Sequence, residues 1–322
     1  MNVHNRNNST YVIAGLALLS VVLVALFVLW GLNSGNWEYN LSRRFKKIAA
    51  IAITGMSIGL SSLMFQAITN NRILTPSVMG LDNLYLFIQT IIVFQFGSKQ
   101  LVAVTAYSDF LLSTVFMVVF SLAMYHFVLK RSGRNIFLLV LVGLVFGSFF
   151  GGLASFMQVL IDPNEFQVLQ GKMFASFNNV NVALLAVSSV IFFVILAVVM
   201  LDARKMDIVS LGRETAISLG VNFDRQVMIY LSLTAVLVSV STALVGPITF
   251  LGILAVNLAR QMLTTYKHSV IALGSMLLGV VALVSGQFFV ERIFSFNTPI
   301  SVIINFIGGI YFIWLLLKER GM

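Results

Sequence analysis

The sequence contains no cysteine, which excludes disulfides, thiolate metal sites and a cysteine nucleophile. Charge is nearly as scarce. Only 10% of the 322 residues are Asp, Glu, Lys or Arg, against about 25% in soluble domains, so most of the chain cannot face water. Histidine is confined to His4, His126 and His268, scattered at the flanks of apolar runs with no metal-ligand spacing. No G-x-x-x-x-G-K-S/T motif occurs; "QGKM" at 170–173 lacks both the earlier glycine and the hydroxyl residue. Paired catalytic groups are missing as well. The chain is therefore not expected to be an enzyme, and no cofactor or metal is expected.

What remains is apolar: 59% of residues, in runs of 18 or more along the whole length, the pattern of a polytopic membrane protein. The runs are continuous rather than alternating, which argues against a β-barrel. Ten spans are predicted, over 11–31, 47–69, 79–97, 103–128, 136–160, 179–201, 226–245, 249–263, 269–289 and 299–317. The first is longer than a signal-peptide core and lacks an A-x-A cleavage site, so it is expected to be retained. With no large soluble region between spans, residues 1–322 read as one membrane domain.

Lys and Arg set the orientation. With both termini inside, 13 of the 20 basic residues are cytoplasmic, which favours the N-in, C-in arrangement. The same bias accounts for the net charge of +9 without a nucleic-acid partner. The seven outside are Arg43, Arg44, Lys46, Lys47, Lys99, Lys172 and Arg292. Four of them sit together in "NLSRRFKK" (40–47), a cluster that opposes the bias and needs its own explanation.

Inside the spans acids are nearly absent. Asp82 and Asp109 fall near predicted span ends and Glu291 at an outer end, where caps or headgroup contacts are the plainer reading. An ion-coupled carrier is expected to show buried acids or broken helices in matched halves, and neither stands out. Small residues do: Gly143, Gly147 and Gly151 repeat every fourth residue in the fifth span, as do Gly55 and Gly59 in the second. Such residues let helices approach closely, within a subunit or at an interface or pathway. Two polar segments read as short helices. "DPNEFQVLQGKM" (162–173) begins with Asp162 and Pro163 on the outside. "RETAISLG" lies within the longest cytoplasmic segment, 201–226, and is amphipathic and closed by Gly220.

Four segments in order are similar to the FecCD family, permeases of ABC importers for iron siderophores, haem and cobalamin. "FQAITNNRILTPSVMGLDN" (65–83, from just before Gln66) resembles Q-x-x-x-x-N-P-L-A-x-P-x-x-L-G-V. "LGRETAISLGVNFDR" (211–225) resembles L-G-x-x-x-A-x-x-L-G-V. "GPITFLGILAVNLAR" (246–260) resembles G-P-I-x-F-V-G-L-V-V-P-H-I-A-R. "TPISVIINFIGGIYFIWLLLK" (298–318) resembles the closing P-x-G-V-V-T-A-x-x-G-x-P-x-F-x-x-L-L. Departures at Ala255, Val256, Asn257, Gly309 and Ile310, and a partly kept acidic segment near 286–292, resemble the branch serving catecholate siderophores.

The resemblance implies an all-α, cobalamin-importer-like permease (type II ABC importer fold) of about ten helices in the cytoplasmic membrane. It implies a second permease subunit, identical or homologous, a separate cytoplasmic ATPase, and an external siderophore-binding protein. Residues 43–47 fall on the family's L-R-L-P-R, with Arg44 and Lys47 at the basic positions and Lys46 replacing proline. Arg43, Arg44, Lys46, Lys47 and Arg292 are thus the expected docking residues. Leu211, Gly212, Arg213, Glu214, Ala216, Ile217, Leu219 and Gly220 are the expected ATPase-coupling residues, with Ala216 and Ile217 filling an apolar slot. Gly55, Gly59, Gln66, Gly143, Gly147 and Gly151 belong to helices that line or flank the path. Carriage of cobalamin or haem is the alternative within the class; an ion-coupled secondary carrier is the alternative outside it.

Overall fold

A computed structural model describes residues 3–30, 37–100, 106–131, 136–294 and 298–320. The ends of two predicted spans, at Gly31 and 103–105, and Arg134 of the orientation count lie outside the described residues. Among the described residues the chain is all-helical. The helices are α1 (Val3–Leu29), α2 (Trp37–Thr69), α3 (Leu81–Gln100), α4 (Ala106–Arg131), α5 (Ile136–Leu160), α6 (Pro163–Met173), α7 (Val182–Leu201), α8 (Ala203–Val209), α9 (Arg213–Ser218), α10 (Phe223–Val245), α11 (Leu251–Met262), α12 (His268–Arg292) and α13 (Ile300–Arg320), with a 3-10 turn at Pro76–Met79.

Among the described residues, 8 of the ten predicted spans form helices long and apolar enough to cross a bilayer. The other two differ in kind. The apolar part of α3 is the shorter Leu81–Gly97, and its backbone breaks at Gly97, where φ is 63°. α11 has 12 residues and reaches only about 18 Å, too short for a hydrocarbon core of about 30 Å. Non-helical backbone leads into it at 246–250, a placement tolerated in a membrane only where protein or a cavity surrounds it.

Burial separates one helix from the rest. In α2, 78% of the apolar window lies inside the protein, whereas α1, α4, α5, α7 and α13 hold 22–33%. α2 packs against α12, α10, α11, α7, α8 and α1 and so forms the axis of the bundle, while the outer helices turn apolar side chains such as Val145, Val190 and Ile313 outward. Hydrophobicity cannot drive this arrangement in lipid, so close van der Waals contact must. The α2–α12 seam shows how: a Cβ on Gly55 would stand 2.8 Å from the Gly279 carbonyl carbon, and one on Gly59 would stand 2.6 Å from the Ser275 carbonyl oxygen.

The short outer helix forms as expected. Asp162 accepts from the Asn164 amide at 2.9 Å, Pro163 opens α6, and Lys172 ties its far end to Asp109 on α4 at 2.5 Å and to Gln89 on α3 at 2.8 Å. Asp109 is therefore an ion-pair partner and not a span-end cap.

Candidate functional site: the two ends of the bundle

The outer end is built where α1, α2 and α12 meet. The first turns of α2 place Lys47 toward α12, where its ammonium pairs with Glu291 and also donates to Asn178 at 2.9 Å. Gln287 donates to the same Glu291 carboxylate at 2.8 Å. Lys47 retains 8% side-chain exposure and Glu291 12%, so this pair is internal. Arg44 donates to the carbonyls of Val28 at 2.6 Å and Trp30 at 2.8 Å, and Arg292 reaches the Trp30 carbonyl at 2.7 Å. These three cations satisfy backbone groups that end α1 and a carboxylate that would otherwise be stranded. The five residues expected to dock a partner thus divide. Lys47 is withdrawn into the bundle, Arg44 and Arg292 cap α1, and Arg43 and Lys46 remain exposed with no ion pair among the described residues. Glu291, read from sequence as a cap or a headgroup contact, is instead the counter-charge of Lys47. The pairing had no local signal, because its partners stand 244 residues apart.

The opposite end is built on α8 and α9, the former unforeseen in the sequence. Gly212 (φ 95°) and Gly220 (φ 79°) bracket α9 in a backbone region that L side chains rarely adopt, so the chain can turn sharply into and out of a helix of one and a half turns. The segment is anchored by acids. Asp202 accepts from Gln226 and from the Tyr230 hydroxyl at 3.2 Å. Asp207 accepts from the His268 amide at 2.7 Å, and the His268 ring Nδ1 lies 2.8 Å from the same oxygen. Arg213 meets Asp224 at 3.4 Å. Ala216 is fully buried against the chain's own body, whereas Leu211, Ile217 and Leu219 are 54–59% exposed, and Glu214 is exposed beside them. The expectation that Ala216 and Ile217 fill one slot together is corrected: Ala216 seats α9 on this chain, and Ile217 with Leu211 and Leu219 forms the outward apolar surface.

These ends are on opposite faces. Asp207 touches the first residue of α12 and Lys47 its penultimate one, so the helix holds them about 35 Å apart.

The glycines expected near a path are placed inside the chain. A Cβ on Gly143 would meet Met79 Cα at 2.8 Å, and one on Gly147 would meet Gly80 Cα at 2.8 Å. Gly151 faces Asn83, whose side-chain amide donates to the Gly147 carbonyl at 2.9 Å. Together they join α5 to the start of α3, while Gly152 on the next face meets nothing within 4 Å. Gln66 is buried and donates to the Arg72 carbonyl at 2.8 Å, which Asn257 also engages at 2.9 Å, fastening the loop after α2 to α11. Gly80 and Gly279, the other halves of these contacts, lie far away in sequence and carry no pattern that points to their partners.

An all-helical bundle with one buried axial helix, cations at one end and exposed apolar side chains on a tethered segment at the other is the architecture of a multi-pass membrane permease. The chain belongs to the FecCD transport family, whose model matches residues 9–318. It is 55% identical over 308 residues, covering 96% of this chain and 97% of the other, to the petrobactin import system permease protein YclO of Bacillus subtilis (strain 168). It is 34% identical over 316 residues, covering 94% and 89%, to the petrobactin import system permease protein FatC of Bacillus anthracis. Its fold is that of a solved chain described as an inward-facing conformation of a putative metal-chelate type ABC transporter, with TM-score 0.84 and 21% identity over 96% of this chain and 99% of that one. The protein is a multi-pass permease of the cytoplasmic membrane.

Proposed function

We propose that the chain is the membrane permease subunit of an ABC importer for a ferric siderophore of the petrobactin kind. The observation that carries this reading is the 55% identity to a petrobactin import permease over 96% of the chain. A separate ATPase binds the cytoplasmic end, where Leu211, Ile217 and Leu219 offer an apolar contact and α8 links it to α12 through Asp207 and His268. An external binding protein approaches the other end, where Arg43 and Lys46 present charge outward. Exposed pairs contribute about 0.2–1 kcal/mol each, so these residues govern orientation and encounter rate more than affinity. A second permease subunit completes the path. Partners that bind the outward-open and inward-open states with different affinity supply the bias for transport.

The test is uptake of the ferric siderophore into proteoliposomes. ATP-dependent uptake that needs the ATPase and the binding protein is the expected result. Uptake by the chain alone under an ion gradient would overturn the reading in favour of a secondary carrier.

A further inference from the structure

The last turn of α4 stands between two cavities of different character. One, of about 550 Å³, carries charge: His126 and Lys130 line it from α4, and Asn222, Asp224 and Arg225 line it from the start of α10. The other is a groove of about 290 Å³ between α4 and α5, lined by Phe127, Val128, Arg131, Leu138 and Val142. α10 follows α9 in the chain, so the charged cavity marks this as the cytoplasmic end. Apart from Arg131, the last residue of α4, every side chain lining the groove is hydrocarbon. Val142 lies six residues after Ile136, the first of α5, so the groove runs about 9 Å inward from this basic mouth. Phe127 and Leu138 are exposed along its rim.

Charge at the mouth is uncompensated. Lys130 and Arg131 are exposed and form no ion pair among the described residues, and no carboxylate lines the groove. Asp224, the acid of the charged cavity, is on the opposite side of the α4 turn and meets Arg213 at 3.4 Å. Water gains little between walls of Phe, Val and Leu, whereas a hydrocarbon chain fills them. A guanidinium at the head of such a slot matches a phosphate with two parallel hydrogen bonds, and basic pockets between helices on the cytoplasmic side suit anionic headgroups. We propose that the groove holds one acyl chain of an anionic phospholipid from the cytoplasmic leaflet, with the lipid phosphate on Arg131 and the Lys130 charge beside it. The lipid joins α4 to α5 at their cytoplasmic ends, whatever the permease carries.

The test is native mass spectrometry of the full-length chain, released from nanodiscs of phosphatidylcholine with phosphatidylglycerol as the minor lipid. One phosphatidylglycerol per chain should stay bound at energies that strip phosphatidylcholine. Arg131→Gln should weaken its retention about tenfold, the loss of one charge-assisted contact. Arg204→Gln, which removes an exposed cation at the same end that lines neither cavity, should leave retention unchanged. Glycerol phosphate, a headgroup without a chain, should not displace the lipid even in large excess. Equal losses in the two variants would reveal diffuse attraction to a basic face, and displacement by glycerol phosphate would reveal a plain phosphate site; either overturns the proposal. So does release of the lipid when a second permease subunit is added, since the groove would then be a subunit contact. Val142→Phe fills the groove while every charge stays in place, and it should expel the lipid; unchanged retention in that variant counts against the site.

Discussion

The outer stretch 40–47 and the cytoplasmic stretch 201–226 each carry four basic residues, yet the fold uses them in opposite ways. Outside, two of the four are turned inward or spent on backbone: Lys47 on Glu291 and Arg44 on the end of α1. Inside, Arg204, Lys205, Arg213 and Arg225 all stay exposed, and the acids Asp202 and Asp207 turn inward to hold the segment, leaving Leu211, Ile217 and Leu219 in the open. Similar composition therefore gives a cross-linked end with some charge to spare and a tethered end with an apolar surface.

The sharpest way to break this contrast is Lys47→Met, which strands Glu291. Removing one partner of a buried pair costs about 3–5 kcal/mol, so the unfolding midpoint should fall steeply, and adding Glu291→Gln should recover part of the loss. A comparable fall for Arg225→Met, expected to stay within about 0.5 kcal/mol, would erase the distinction between the two ends. Next is Asp207→Asn, which weakens the charge-assisted bonds between α8 and His268. A loss of about 1.5–3 kcal/mol should appear in unfolding, together with faster hydrogen exchange confined to α8 and α9. Ile217→Asp is third: uptake should drop about tenfold, equivalent to about 1.4 kcal/mol, while the unfolding midpoint stays put because the side chain touches water. A shifted midpoint would mean that Ile217 belongs to the chain's own core. The smallest effect belongs to Arg43→Glu with Lys46→Glu, which should slow binding-protein association a few-fold at low salt and lose that difference at about 0.15 M salt or above, with stability unchanged.

Much of this architecture is legible in the residues. Long apolar runs mark the crossing helices, Asp162 followed by Pro163 marks the start of α6, and Gly220 marks the end of α9. The extent of α11 is legible to within two residues, 249–263 against Leu251–Met262, but nothing local in "FLGILAVNLARQM" says that non-helical backbone at 246–250 leads into it. Gly143, Gly147 and Gly151 are visible as a small-residue face, but the surface they meet comes from Met79, Gly80 and Asn83, and Asn83 stands 64 residues before the Gly147 carbonyl it bonds. The outer cluster shows the limit most plainly. "RRFKK" displays four like charges in a row of five, and only the distant Glu291 and the end of α1 decide which of them reach solvent. Alternation of charge cannot reveal that choice, since Lys46 and Lys47 are neighbours in sequence and differ only in the direction the helix points them.

α12 is fastened to α2 at two levels, by the Gly55–Gly279 and Gly59–Ser275 contacts near its middle and by the Lys47–Glu291 pair at its crown. A rod bolted at one point can swivel, but a rod bolted at two cannot. A push delivered to His268 therefore has no pivot at which to dissipate, and it must carry α2 along with it. The spine of the molecule then shifts as one rigid piece, and whatever opens or shuts has to do so at the seams between that piece and the outer helices.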